Sequence, residues 1–281
     1  MIRFPSYDGT QLAYHQRGAG TPLICVPGGP GCASAYLGDL GGLSARRQLI
    51  QLDPRGTGDS AVPEDPATYQ CVRQVDDVEA LRLHLELEQI DLLGHSASAN
   101  IAMLYAARHP DRVRRLVLVT PSWRATELEF DHEQWYAAMR RRADEPWFAE
   151  AFAAIQRGET GELTPEDTRL AAPLFYGKWD ADAAAHDALT KSVRVPAARD
   201  GFGAGDDAYG DPSRLADDLR RLAAPVLVLG GELDPAPTAR LVKELAALFP
   251  QATAVQQPGA GHSPWIDDPT AFASTVDEFL K

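Results

Sequence analysis

Long apolar runs are missing from this sequence, and cysteine and positive charge are scarce. The runs that do occur, such as Pro225 to Leu229, have strand length, far short of the ~20 residues a membrane-spanning helix requires. The stretch from Met1 to Asp8 has no apolar segment suited to a secretory signal, so a cytoplasmic location and no membrane partner are expected. Three cysteines in 281 residues, Cys25, Cys32 and Cys71, make no disulfide framework. Without a C-x-x-C or a Cys/His cluster no metal site is expected either. Cys25 sits in an apolar, strand-like run and reads as plain core. Lys and Arg number 27 against 40 Asp and Glu, a formal net charge of −13, which argues against nucleic acid or anionic membranes as partners. Neither G-x-G-x-x-G nor a Walker lysine is present, so the glycines do not point to a phosphate, and no cofactor is expected.

The composition, 44% hydrophobic and 24% charged, is that of an ordinary globular chain. Strand-like segments at Gln11 to Arg17, Pro22 to Pro27, Gln48 to Leu52, Ile90 to Leu93 and Val113 to Val119 alternate with helical ones. The clearest helices are Val75 to Glu88 and Ala99 to Arg108. The same grammar returns with a strand at Pro225 to Gly230, a helix near Thr238 to Leu248, a strand at Thr253 to Gln256 and a helix at Pro269 to Leu280. This alternation predicts an α/β fold, a mostly parallel central sheet with helices on both faces. Residues 122–211 break the pattern. They lack a convincing buried strand and carry 18 Asp/Glu against 10 Lys/Arg. They read as a helical lid inserted into a core domain made of residues 1–121 and 212–281.

Chemistry is suggested first by Gly94-His95-Ser96-Ala97-Ser98, which ends a strand and opens a helix. That is the setting of the G-x-S-x-G elbow, where a serine on a sharp turn projects its hydroxyl above the sheet and the helix N-terminus faces developing negative charge. Ser98 replaces the final glycine, and a serine N-cap on an ordinary helix is the plainer alternative. In this fold the chain order is Ser, acid, His. Of seven histidines only His262 lies beyond residue 186, in the glycine-rich loop Pro258 to Ser263, and it is the candidate general base. Asp234, in the loop Gly230 to Pro235 after a strand, is the candidate acid that orients the imidazole, with Glu232 as the alternative. His95 adjoins Ser96, but neighbours on a tight turn point apart, so it is expected to wall the pocket. The oxyanion donors expected are the backbone N–H groups of Ala97 and of Gly29, in the loop Val26 to Gly31.

These motifs also resemble a family, the prolyl iminopeptidases among the α/β-hydrolases. Its H-G-G-P-G appears as Pro27-Gly28-Gly29-Pro30-Gly31. Its D-Q-R-G-x-G-x-S appears as Asp53-Pro54-Arg55-Gly56-Thr57-Gly58-Asp59-Ser60, where Asp53 and Arg55 are read as a buried structural pair closing a βα turn. The resemblance covers the sheet domain and implies an α/β-hydrolase fold that releases an N-terminal proline or other small aminoacyl group. Such enzymes hold the substrate ammonium with carboxylates. Pro235 stands where one of these is expected, and Trp179-Asp180 resembles the family's Trp-then-acid segment. Gly28, His95, Trp179 and Asp180 are therefore the expected substrate-binding residues, and a small molecule or short peptide the expected partner. A carboxylesterase or lactonase using the same groups is the alternative. A binding protein of the same fold without activity is a third reading.

Overall fold

The strands most apolar along their whole length are central ones, because helices cover both of their faces. A computed structural model of the chain describes residues 1–161 and 164–281. Its strands are β1 (Ile2–Pro5), β2 (Gln11–Arg17), β3 (Pro22–Val26), β4 (Gln48–Asp53), β5 (Ile90–His95), β6 (Val113–Val119), β7 (Val226–Gly231) and β8 (Ala252–Gln257). They form one sheet in the order β1-β2-β4-β3-β5-β6-β7-β8. The β1–β2 and β2–β4 pairings are antiparallel, and the others are parallel. Successive side chains on a strand point to opposite faces. On β5, Leu92 accordingly joins one apolar cluster and Leu93 the other.

The first cluster is closed by α1 (Cys71–His84), α2 (Ala99–Arg108) and α9 (Ala239–Ala246). On the second face lie Trp265 of α10 (Pro264–Asp267) and Phe272 and Val276 of α11 (Pro269–Phe279). Between β6 and β7 run α3 (His132–Arg140), α4 (Phe148–Thr160), α5 (Pro165–Ala171), α6 (Ala181–Ser192), α7 (Pro196–Phe202) and α8 (Pro212–Leu219). Part of this insertion has an apolar core of its own, with Met139, Ile155 and Leu174. By contrast, α8, capped by Asp211, sends Leu215 and Leu219 into the first sheet-side cluster. Each such burial is worth ~1.5–3 kcal/mol.

Elements at two places differ most clearly from what the sequence predicts. Helix α1 begins at Cys71 rather than Val75 and stops at His84, because Glu86 takes a left-handed conformation (φ 54°) and its neighbours leave the helix. The edge strand β1 has almost no signal in the sequence, since Phe4 is its only buried residue. Asp53 and Arg55 are both buried, but they do not pair with each other. Asp53 accepts from Ser34 N (2.8 Å), Ser34 Oγ (2.7 Å) and Asp59 N (2.9 Å). Arg55 donates to Asp77 Oδ2 and Asp8 Oδ2, each at 2.8 Å. Two residues apart, they anchor different loops, so the expectation of one ion pair is corrected to two separate networks. All three cysteines are free and buried. Burial pushes the Cys25 thiol far up. Among the described residues no helix is long and apolar enough to cross a membrane.

Candidate active site

Strand β5 ends at His95, and the chain turns at once into α2 through Ser96, whose φ of 52° lies in the left-handed region. For a non-glycine residue that conformation costs of order 1–3 kcal/mol and persists only where the surroundings enforce it. Close packing enforces it here. A Cβ on Gly94 would lie 2.7 Å from Ser98 O, and one on Gly28 would lie 2.7 Å from Ser96 Cβ. Ser98, standing where the motif has glycine, is tolerated because its Oγ donates to Pro27 O at 2.5 Å. The residue thus ties the elbow to the facing glycine loop.

His262 and Asp234 arrive from loops after β8 and β7. Their approach depends on glycine at two positions. A Cβ on Gly231 would collide with Gly261 O, and one on Gly261 would sit 2.5 Å from Phe175 O. With neither present, His262 Nδ1 lies 2.8 Å from Asp234 Oδ2, and His262 Nε2 lies 2.9 Å from Ser96 Oγ. Asp234 is 1% exposed and also accepts from Ala236 N at 2.9 Å. Burial alone would depress the His262 pKa, but the charge and hydrogen bond of Asp234 outweigh it and raise it above its ordinary value. With Nδ1–H donated to the carboxylate, Nε2 is left to accept from the serine hydroxyl. Glu232 is exposed, pairs with Arg141 at 2.7 Å and accepts from Gly259 N at 2.9 Å.

The insertion between β6 and β7 is bonded directly to this loop. His262 N donates to Phe175 O at 2.7 Å, and the Asp267 carboxylate accepts from Gly177 N (2.9 Å) and Gly261 N (2.8 Å). His95 is almost wholly buried, and burial first, with His262 and His186 nearby, drives its pKa well down. The neutral ring allows one arrangement of protons. Nε2 faces the His262 carbonyl at 3.1 Å and must donate, so Nδ1 accepts from Tyr36 Oη at 2.6 Å, which itself accepts from Gly28 N at 2.7 Å. His186 repeats the logic, accepting from Tyr176 Oη at 2.8 Å and donating to Tyr36 O at 3.0 Å. Tyr36, Tyr176, His186 and Asp267 carry no sequence motif. Their roles come from meeting across distant segments, a signal no local reading contains.

Above Ser96 and His262 opens a cleft of about 500 Å³, also walled by Gly29, Tyr36, His95 and Tyr176. The insertion contributes Trp135, Ile155, Glu159, Phe175, Asp187, Lys191 and Arg194. Three expected binding residues are absent from this lining. Gly28 has its N–H taken by Tyr36. Asp180 caps α6 by accepting from Ala183 N at 3.0 Å and pairs with Lys178 at 2.8 Å. Trp179 stands against Tyr176 with ring centroids 5.4 Å apart. Other acids of the insertion are engaged in the same manner, in helix caps and ion pairs such as Asp187–Lys191 at 2.7 Å and Asp167–Arg157.

Comparison with known proteins agrees with this architecture. The model of the alpha/beta hydrolase fold family matches residues 21–269. A proline iminopeptidase from Lactiplantibacillus plantarum is 27% identical over 282 residues, covering 92% of each chain. A 2-hydroxymuconate semialdehyde hydrolase from Pseudomonas sp. is 30% identical over 283 residues, covering 97% of this chain and 91% of that one. Among solved structures, proline iminopeptidase from Mycobacterium smegmatis superposes with a TM-score of 0.75 at 24% identity, covering 99% of this chain and 97% of the other.

Proposed function

The chain belongs to the alpha/beta hydrolase fold family, and within it we propose that this protein is a serine hydrolase working through an acyl-enzyme. In this reading His262 takes the Ser96 proton as Oγ attacks a carbonyl carbon, then delivers it to the leaving group. Water, deprotonated by the same imidazole, later releases the acid. Asp234 holds the ring and stabilises the imidazolium, and the N–H groups of Gly29 and Ala97 receive the oxyanion. The observation that carries the proposal is the unbroken relay Asp234–His262–Ser96, with contacts of 2.8 and 2.9 Å, opening into the cleft.

The substrate class we propose is a small ester or lactone. Recognition of an N-terminal ammonium requires an available carboxylate, and Asp187 is already bound to Lys191 while Asp180 lies outside the cleft. The second reading, an aminopeptidase that releases proline or another small residue, is favoured by relatives named proline iminopeptidase. Its best carboxylate is Glu159, which lines the cleft and is held by Tyr136 and by His132 at 3.2 Å. A panel of 4-nitrophenyl esters beside prolyl and alanyl arylamides separates the two. Faster cleavage of free aminoacyl arylamides, lost in Glu159→Gln, selects the aminopeptidase. A fluorophosphonate probe tests the shared mechanism: wild type should label and Ser96→Ala should not, with turnover falling ~10⁴-fold or more. Equal labelling of the two would sink it.

A further inference from the structure

We infer that the substrate of this cleft carries a carboxylate and that Arg194 receives it. The inference rests on Ser96 being the nucleophile, because Arg194 lines the same cleft. What sets this arginine apart is a buried donor left unsatisfied inside the cleft. Elsewhere in the insertion Arg141, Arg142, Arg157, Arg169 and Arg199 each meet a carboxylate, Arg140 lies over the Tyr136 and Phe152 rings, and Arg124 is exposed to solvent. Arg194 has no acid within salt-bridge distance among the described residues, and its Nε is buried with no hydrogen-bond acceptor. In a chain with 40 acidic residues against 27 basic ones, an unpaired guanidinium is not explained by a shortage of acids. Buried polar atoms are nearly always satisfied in folded proteins, so an orphaned donor lining a cleft points to an acceptor that arrives with the ligand.

The other cleft charges do not compete for that ligand. Lys191 is bound to Asp187, and Glu159 is engaged by the Tyr136 hydroxyl and His132. The backbone that bears Arg194 is held by main-chain contacts. Arg194 forms an antiparallel bridge with Cys32. On either side Ala33 N donates to Val193 O at 3.1 Å and Val195 N donates to Gly31 O at 2.8 Å. The segment bearing the guanidinium is thereby stitched to the loop that carries Gly29. An arginine fork suits this task better than a lysine, since its planar donors match the two oxygens of a carboxylate. The class of substrate is then a small ester or lactone, or an activated carbonyl compound, whose acyl or leaving part ends in a carboxylate.

The test compares mono-4-nitrophenyl glutarate, which bears a free carboxylate, with 4-nitrophenyl valerate, of equal acyl length and no charge. The quantity read is the ratio of their kcat/KM values, which cancels any general loss of activity. Wild type should favour the charged ester. Arg194→Met should lower the ratio ~10–100-fold, the worth of a hydrogen bond to a charged group, and Arg194→Lys should lower it less. If Arg194→Met does not fold, the wild-type ratio still decides, because it should fall as potassium chloride is raised while valerate turnover holds. A wild type that cleaves valerate but rejects the glutarate hemi-ester overturns the inference alone, and so does a ratio that neither substitution moves. Absence of Ser96-dependent cleavage of both esters, together with no fluorophosphonate labelling, overturns the hydrolase reading and the inference with it.

Discussion

Replacing Asp234 with Asn keeps the shape of the relay and removes its charge, which makes it the sharpest probe of the chemistry. The carboxylate is 1% exposed and 2.8 Å from His262 Nδ1. An amide in that place can donate to Nδ1, which would move the ring proton to Nε2 and leave no acceptor for the Ser96 hydroxyl. The expected loss in kcat is ~10⁴-fold, about 5 kcal/mol of transition-state stabilisation. A second consequence concerns pH. In the wild type Asp234 raises the His262 pKa against the effect of burial, so the acid limb of activity should lie above the ordinary imidazole value of ~6.5. In Asp234→Asn burial acts unopposed, and the limb should move to lower pH. Stability follows the same linkage. A histidine whose folded pKa is raised contributes stability that is complete below its unfolded value of ~6.5 and is lost as pH rises through the folded value. The stability gap between wild type and variant should therefore narrow as pH rises through that window. The assays are kcat/KM for a 4-nitrophenyl ester from pH 5 to 9 and urea melts across the same range. A loss below about tenfold, or an acid limb that stays or moves up, would refute the roles given to this pair.

Three further substitutions test the frame around the relay. Gly261→Ala would place a Cβ 2.5 Å from Phe175 O; overpacking of this kind should cost ~1–3 kcal/mol in a urea melt and lower kcat by displacing His262. Unchanged values for both would mean the lid does not brace that loop. Tyr36→Phe strips a partner from Gly28 N and from His95 Nδ1, both buried, so ~1–3 kcal/mol of stability should go, with kcat falling as the Gly28–Gly29 loop loosens. A variant as stable and active as wild type would remove the hydroxyl from the network. Ser98→Gly makes the elbow match its motif, yet it deletes the buried bond to Pro27 O. It should therefore lower stability by ~1 kcal/mol or more, and a gain in stability from Ser98→Gly would contradict that account.

What a one-dimensional reading can reach follows from the range over which each residue acts. Ser96, Asp234 and His262 stand in short turns whose neighbours have to be small, and the order of those turns is itself a constraint, so the three can be singled out from sequence as candidates. The strands other than β1 are readable for a similar reason, since apolar runs of strand length are bounded by turn residues, and only their ends shift by a residue or two. Asp180 is misleading because a Trp-acid pair and a helix N-cap look alike in one dimension; the bonds to Asp182 N and Ala183 N mark it as the cap of α6. The net acidity of the lid is misleading for a related reason, because a charge count is blind to how the charges pair.

Local pattern and chain order thus reached seven strands of the sheet, the helical stretch between β6 and β7, and the three residues of the proposed relay as candidates. What the cleft presents to a ligand came only from the folded chain. Tyr36, His95, His186 and Tyr176 become one buried network when four separate segments meet. Beside the Gly29 loop, Arg194 keeps a buried Nε with no acceptor among the described residues. Pairing of charge is a property of distances in space, and sequence spacing does not encode those distances.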